Sequence, residues 1–363
     1  MKLKSHGALG IIFDSLQNET DPRILDMLVV LVVGLLYDVR RMDFFFKAEL
    51  ALKLINYCFK DKKDKNTFEG MDILKASQLF TSLKVEKDEI YDFVGIWILY
   101  KWTFSSLTSK NNSSFFASLA QEPEIIKRTI EIVKRGGDEI GKKAAGLLDY
   151  LIINTDMKEF SLDLIDLLKD LIEKQQQQQQ QEESSFSDVS FMKLAVSITG
   201  SPLFGKHCEI CKEEFFEFIQ EFSELASAKS EDISVLAWSC LINLVDRCNE
   251  SFIDEFRYQK YASTQLNLIE FYTEEYHRVN NDNENSNHLT TLILLLLGFI
   301  CRQNRTNLQV MLSANDCGSD SDLKKEIFTV ASNFYLQQEK SLKLSGENEI
   351  IVERLNEIIL TFK

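Results

Sequence analysis

Leu31–Ile55 reads LVVGLLYDVRRMDFFFKAELALKLI, and the reading of this stretch decides the fold. It joins two apolar helical segments through a charged corner, Tyr37-Asp38-Val39-Arg40-Arg41-Met42-Asp43. The segment leading in, Ile24 to Tyr37, is apolar on every face except at Asp26, so neighbouring helices must cover it on all sides. The segment leading out starts at Asp43, whose carboxylate suits an N-cap, and carries Phe46, Leu50 and Leu54 at helical spacing. A buried helix that ends in an exposed charged corner fixes that corner in place. This serves binding and supplies no chemistry of its own.

Composition extends the helical reading to the whole chain. Its 363 residues are 45% hydrophobic, and only three prolines and fourteen glycines punctuate them. So few breakers, with little alternating polarity, predict an almost wholly helical protein. A formal charge of −15 and a pI near 4.9 disfavour direct contact with nucleic acid, since phosphate binding requires a concentrated basic surface. A basic protein surface is the natural complement. Seven scattered cysteines in apolar runs read as reduced thiols of a cytosolic or nuclear protein. No secretory signal opens the chain, and its abrupt start suggests the folded part of something longer. The apolar runs Met27–Tyr37 and Leu292–Ile300 fall short of the roughly 20 residues a membrane span requires.

Working outward from the corner, helices are expected near 5–17, 67–83, 87–107, 124–135, 138–154 and 158–174. After a glutamine-rich stretch they resume near 188–199, 211–227, 232–248, 263–279, 286–302, 323–338 and 347–362. Gln175–Gln181 is read as a low-complexity insert, too polar to bury, on a loop or a frayed helix end. Counting gives about sixteen helices, with pairs recurring at roughly forty residues, as in HEAT or armadillo arrays. The expected fold is an all-α solenoid of about eight HEAT-like helix pairs in one continuous array. Its first half is 1–174, the insert 175–187, and the second half 188–363.

Motifs for chemistry are thin. Gly136-Gly-Asp-Glu-Ile-Gly141-Lys142-Lys143 has the glycine and lysine spacing of a phosphate-binding loop. However, Lys143 stands where a hydroxyl must hold Mg²⁺, and the stretch follows a helix, so a glycine helix stop is the better account. His207-Cys208-Glu-Ile-Cys211 offers half of a zinc site without a second ligand pair. The aromatic run Tyr91, Phe93, Trp97, Tyr100, Trp102, Phe104 interleaves one basic residue, Lys101, and reads as core rather than a base-stacking platform. Hence no catalytic residue, cofactor or metal is expected. Asp38, Arg40, Arg41 and Asp43 either pair with one another or face a partner.

Three stretches taken in order resemble the C-terminal domain of the Wings apart-like (Wapl) cohesin-release factors, in a divergent, fungal-like form. They are Ser5-His-Gly-Ala-Leu-Gly-Ile-Ile-Phe13 with Leu36-Tyr37-Asp38-Val-Arg40-Arg41-Met42-Asp43; Cys240-Leu-Ile-Asn243-Leu-Val-Asp246; and Leu295-Leu-Leu-Gly298-Phe-Ile-Cys301-Arg-Gln-Asn304 with Asn307. The resemblance implies a HEAT-type fold, a nuclear and chromatin-associated protein, and no catalytic activity. It implies binding to the ATPase head region of cohesin's SMC subunits, with Pds-type and SA-type HEAT proteins as accessory partners, and release of the ring from chromatin. By motif position, Asp38, Arg40, Arg41, Met42 and Asp43 are the contact residues. Asn243 and Asn304 either join them or satisfy backbone groups between repeats. The chain departs from the family where Phe44, Phe45 and Phe46 precede Lys47, and it lacks the Phe-Gly-Phe and Tyr-Ser-Arg partner motifs. The alternative from charge alone is a HEAT-type transport adaptor that recognises basic segments.

Overall fold

A computed structural model describes residues 24, 55–61, 90–107, 119, 122–136, 139–154, 157–180, 189–202, 204, 211–227, 230–248, 250–262, 264–281, 286–315, 320–345 and 349–363. The segments expected as helices near 5–17 and 67–83 and the corner Asp38–Asp43 lie outside the described residues, and of Ile24–Tyr37 only Ile24 is described, helical and 39% exposed. The fold is all-α, and among the described residues no strand forms beyond an isolated bridge, Lys260 to Asn267. No described helix is long and apolar enough to cross a membrane. The chain divides into two compact units, 1–167 and 168–363.

In the first unit, α1 (Ile90–Leu107) and α2 (Pro123–Arg135) both pack on α3 (Glu139–Asn154), and a π-helical turn at Tyr57–Asp61 touches α1 and α2. Proline suits the first turn of α2, where its missing N–H would be unpaired in any case. Gly136 ends α2 with φ 63°, a backbone geometry that a side chain would oppose. The stripe Ile125, Ile126, Ile130 and Val133 is buried by this packing. Asp92 interrupts the apolar face of α1 and is nearly inaccessible. Arg128 reaches it with two hydrogen bonds of 2.9 Å, and Arg135 with one of 2.5 Å.

Helix α4 (Ser161–Gln180) runs through the division between the units. It also carries most of the glutamine run expected to be an insert. Gln175 is helical and only 3% exposed, because glutamine has good helix propensity and the apolar stripe of α4 continues up to it.

In the second unit, α5 (Val189–Gly200) precedes two successive groups of three helices. These are α6 (Lys212–Ala226), α7 (Glu231–Arg247) and α8 (Glu250–Glu255), then α9 (Leu268–Asn281), α10 (Ser286–Cys301) and α11 (Arg305–Ser313). The pair α12 (Asp320–Ser345) and α13 (Glu349–Phe362) follows. Within each group the two long helices form a hairpin, α6 on α7 and α9 on α10, while α7 also packs on α5 and α10. This is repeat packing, but with a longer period than the roughly forty residues expected. Hydrogen bonds that join corresponding elements span 47 residues from Asn243 to Val196, 49 from Ser223 to Tyr272 and 50 from Tyr276 to Glu326. The short third helices α8 and α11, absent from the sequence reading, account for the difference.

Asp92→Asn removes the charge that Arg128 and Arg135 share and leaves both guanidiniums less compensated. Burial alone would push the Asp92 carboxyl up, but hydrogen bonds and charge from the two arginines outweigh it and hold the group below the usual carboxylate range. Its stabilising contribution is therefore present at neutral pH and lost as pH falls below its unfolded value of 3.8. Urea unfolding of Asp92→Asn is expected to show a loss of about 2–3 kcal/mol at neutral pH that narrows in acid. A loss below about 0.5 kcal/mol would show that the cluster does not hold the first unit together.

Candidate functional site

Of the residues that sequence singles out for partner contact, the structure describes Asn243 and Asn304. Asn243 lies on α7 and points at α5, where Nδ2 donates to the Val196 carbonyl at 3.0 Å and to Thr199 Oγ1 at 3.3 Å. Gly200 makes room for it, since a Cβ there would lie 3.2 Å from Asn243 Nδ2. Asn304 caps α11, its side chain accepting from the Asn307 N–H, while its Nδ2 donates to Asp254 at 2.9 Å. Both asparagines thus join neighbouring repeats. Asp38, Arg40, Arg41, Met42 and Asp43 lie outside the described residues.

The weaker motifs resolve along the same lines. Gly136 stops α2, and α3 starts at Glu139, so Gly141, Lys142 and Lys143 lie in the first turns of a helix and not in a phosphate-binding loop. Lys143 is held by Glu139 at 2.7 Å and stands over the rings of Trp97 and Tyr100. His207 and Cys208 are not described; Cys211 sits at the N-cap of α6, and among the described residues no cluster could hold a metal ion. Tyr91 and Phe93 are core, as the sequence predicts. Cys240 and Cys248 are buried free thiols that burial pushes up to about 12, and the Cys301 thiol is pushed up in the same way. None of these three carries thiolate character at neutral pH.

Two charged clusters escaped the sequence reading. In the first, Asp246 at the end of α7 receives Arg354 of α13 at 2.8 Å, with Arg302 at 3.8 Å. Arg354 also donates to the Asp246 carbonyl, and Arg247 to the carbonyl of Gly200 at the end of α5. This cluster fastens the last helix to the repeats before it. Burial, followed by the charge of Arg354, lowers the affinity of Arg302 for its proton. A lone acid just after the buried pair Leu244 and Val245 was the available signal, because a half-buried carboxylate calls for a cation from a neighbouring element.

The second cluster is the reverse, an acidic line without sufficient counter-charge. Glu213, Glu217, Glu221 and Glu224 follow one face of α6, and among the described residues none of the four is in an ion pair. Burial, then the charges of Glu217, Glu173 and Glu224, push the Glu221 carboxyl up to about 7, with only Lys169 opposing. Lys169 is itself paired with Glu214. The signal in the sequence was the spacing of acids in KEEFFEFIQEFSELA, read there only as helical.

No family model and no curated protein matches this chain. Among solved structures it is similar to an engineered protein at 11% identity, with 98% of this chain and 78% of that chain covered and a TM-score of 0.46.

Glu221 generates a pH dependence. A carboxyl whose folded value of about 7 exceeds its ordinary 4.5 holds its proton more tightly in the folded chain. Its contribution to stability is complete below 4.5 and lost as pH rises toward 7. Glu221→Gln is therefore expected to raise stability at alkaline pH by about 1 kcal/mol, after allowance for solvent screening, and to have little effect in acid. Thermal melts at the two pH values check this, and a destabilised variant in alkali would contradict it.

Proposed function

We propose that this chain is a non-enzymatic helical-repeat module that binds the ATPase head region of cohesin's SMC subunits and promotes release of the ring from chromatin. Pds-type and SA-type HEAT proteins are its accessory partners, and it acts in the nucleus without touching DNA or membrane. The observation that carries the reading is the ordered trio of stretches similar to the Wapl family. Two of them, Cys240–Asp246 and Leu295–Asn304, fall on α7 and on α10 with the cap of α11, and α7 packs on α10. In both, an asparagine of the resembling stretch bonds to the preceding repeat.

In this reading Asp38, Arg40, Arg41, Met42 and Asp43 are the contact residues, and Asn243 and Asn304 support the surface from within. The module would favour a head arrangement in which the exit gate is open, shifting a population by differential affinity rather than by bond chemistry. With a formal charge of −15, the chain is poorly matched to a phosphate backbone, which fits action on the ring rather than on DNA.

Co-precipitation of cohesin heads with the intact chain, compared with Arg40→Glu plus Arg41→Glu, tests the proposal. The intact chain is expected to recover the heads and the folded double variant to recover about tenfold less. Failure of the intact chain to recover them overturns the cohesin reading, whereas equal recovery by both removes the corner from it.

A further inference from the structure

An open groove of about 430 Å³ runs between the first half of α6 and the connector 256–267, lined by Lys212, Glu213, Phe216, Glu217, Gln220 and Gln259. Its apolar wall is Phe216, whose ring stands edge-on to those of Phe215 and Phe256. The connector that forms the other side is held in place. Gln220 donates to the Lys260 carbonyl at 3.3 Å, Lys260 pairs with Asn267, and Tyr261 stacks on Phe271 at 3.6 Å. The groove is therefore set by the fold before any ligand arrives.

Its polar groups are largely unspent. Gln220 gives one N–H to Lys260 and keeps its Oε1, and the Gln259 side chain makes no hydrogen bond among the described residues. Lys212, the cation of the lining, is taken by Glu255 at 2.8 Å. Glu213 and Glu217 remain, and their line continues along α6 through Glu221 and Glu224, with Glu173 of α4 contributing to the same field. A cation set here relieves a repulsion that the fold otherwise carries, so charge selects the occupant. An anionic chain would be repelled, and a second copy of a protein with net charge −15 is a poor complement.

We propose that this groove docks a basic segment of a protein partner. A lysine or arginine sits against Glu213 and Glu217, with Glu221 next along the helix adding to the field, an apolar side chain meets the exposed edge of Phe216, and the backbone of the segment meets Gln220 and Gln259. Such an arrangement divides the work in a familiar way, with carboxylates giving selection and rate, and the aromatic and amide groups giving fit. The inference goes beyond the cohesin reading and does not rest on it, since the corner Asp38–Asp43 takes no part.

The experiment titrates the full chain into a short fluorescein-labelled peptide of lysine, leucine and glycine, and into its glutamate-substituted counterpart, at low salt. Anisotropy is expected to rise with the lysine peptide alone. Glu217→Gln with Glu221→Gln should weaken binding about tenfold, and because it relieves repulsion it should melt no lower than the parent chain. Glu274→Gln with Glu353→Gln removes the same formal charge from exposed positions elsewhere in the second unit and should change binding less than about twofold. No binding of the lysine peptide, or equal weakening by the two pairs, overturns the proposal; the second result would mean a general attraction to an acidic protein.

Discussion

From Ile293 onward helix α10 has no polar face, and that constraint organises the second unit. From Ile293 to Cys301 every residue is buried, so no orientation of the helix would let it rest on a surface. It must be covered on all sides, and α7, α9, α11, α12 and α13 all pack on it. Gly298 lets the last two come close, since a Cβ there would lie 3.0 Å from Ile358 and 3.2 Å from Ile327. Burial on this scale drives association without dictating which helix lies where. Dispersion and the hydrophobic effect are nearly indifferent to register.

Register is supplied by a smaller number of polar bonds. Ser223 meets Tyr272 at 2.8 Å, and Tyr276 donates to Glu326 at 2.5 Å, joining α6 to α9 and α9 to α12. Asn243 joins α7 to α5, and Asn307, whose Nδ2 donates to the carbonyls of Ile253 and Ile300, joins α11 to α8 and α10. Each of these groups would be costly if buried without its partner, so a slipped stacking is penalised at several places together. The recurring separations of 47 to 50 residues are the imprint of that registration.

Much of this was legible in the sequence and some of it was not, for identifiable reasons. Long helices with strong periodicity emerge within a few residues: α7 spans Glu231–Arg247 against an expected 232–248, and α10 spans Ser286–Cys301 against 286–302. Helix α8, with six residues, is too short for an apolar period to show. Helix α11 is short, and its cap Asn304 falls within the stretch that resembles a family motif, which masks the start signal. Asn267 and Glu270 form a capping box that starts α9 at Leu268, and overlooking it placed the start at 263. Of the candidate site, the structural use of Asn243 was one of two readings that the sequence allowed. Of the Asp246 and Glu221 clusters the sequence shows only a trace, a lone acid and a helical spacing of acids, because their partners depend on which helices become neighbours.

The two clusters also differ in what they imply. At Asp246 the fold supplies cations to an acid that burial would otherwise penalise, and the result ties α13 to α7; this is charge in the service of structure. Along α6 the fold does the opposite, setting Glu221 among the charges of Glu217, Glu224 and Glu173 while committing Lys169 to Glu214 and Lys212 to Glu255. Selection on stability alone would favour neutralising such a line, since an amide or lysine in place of one glutamate relieves the repulsion without disturbing a contact. Strain of this kind is kept where something outside the fold relieves it. The groove beside Phe216 lies on the same helix, and Glu217 of that line, with Glu213, forms part of its lining. The physical case for a partner on this face is thus independent of any resemblance, and it rests on an imbalance that none of the described residues corrects.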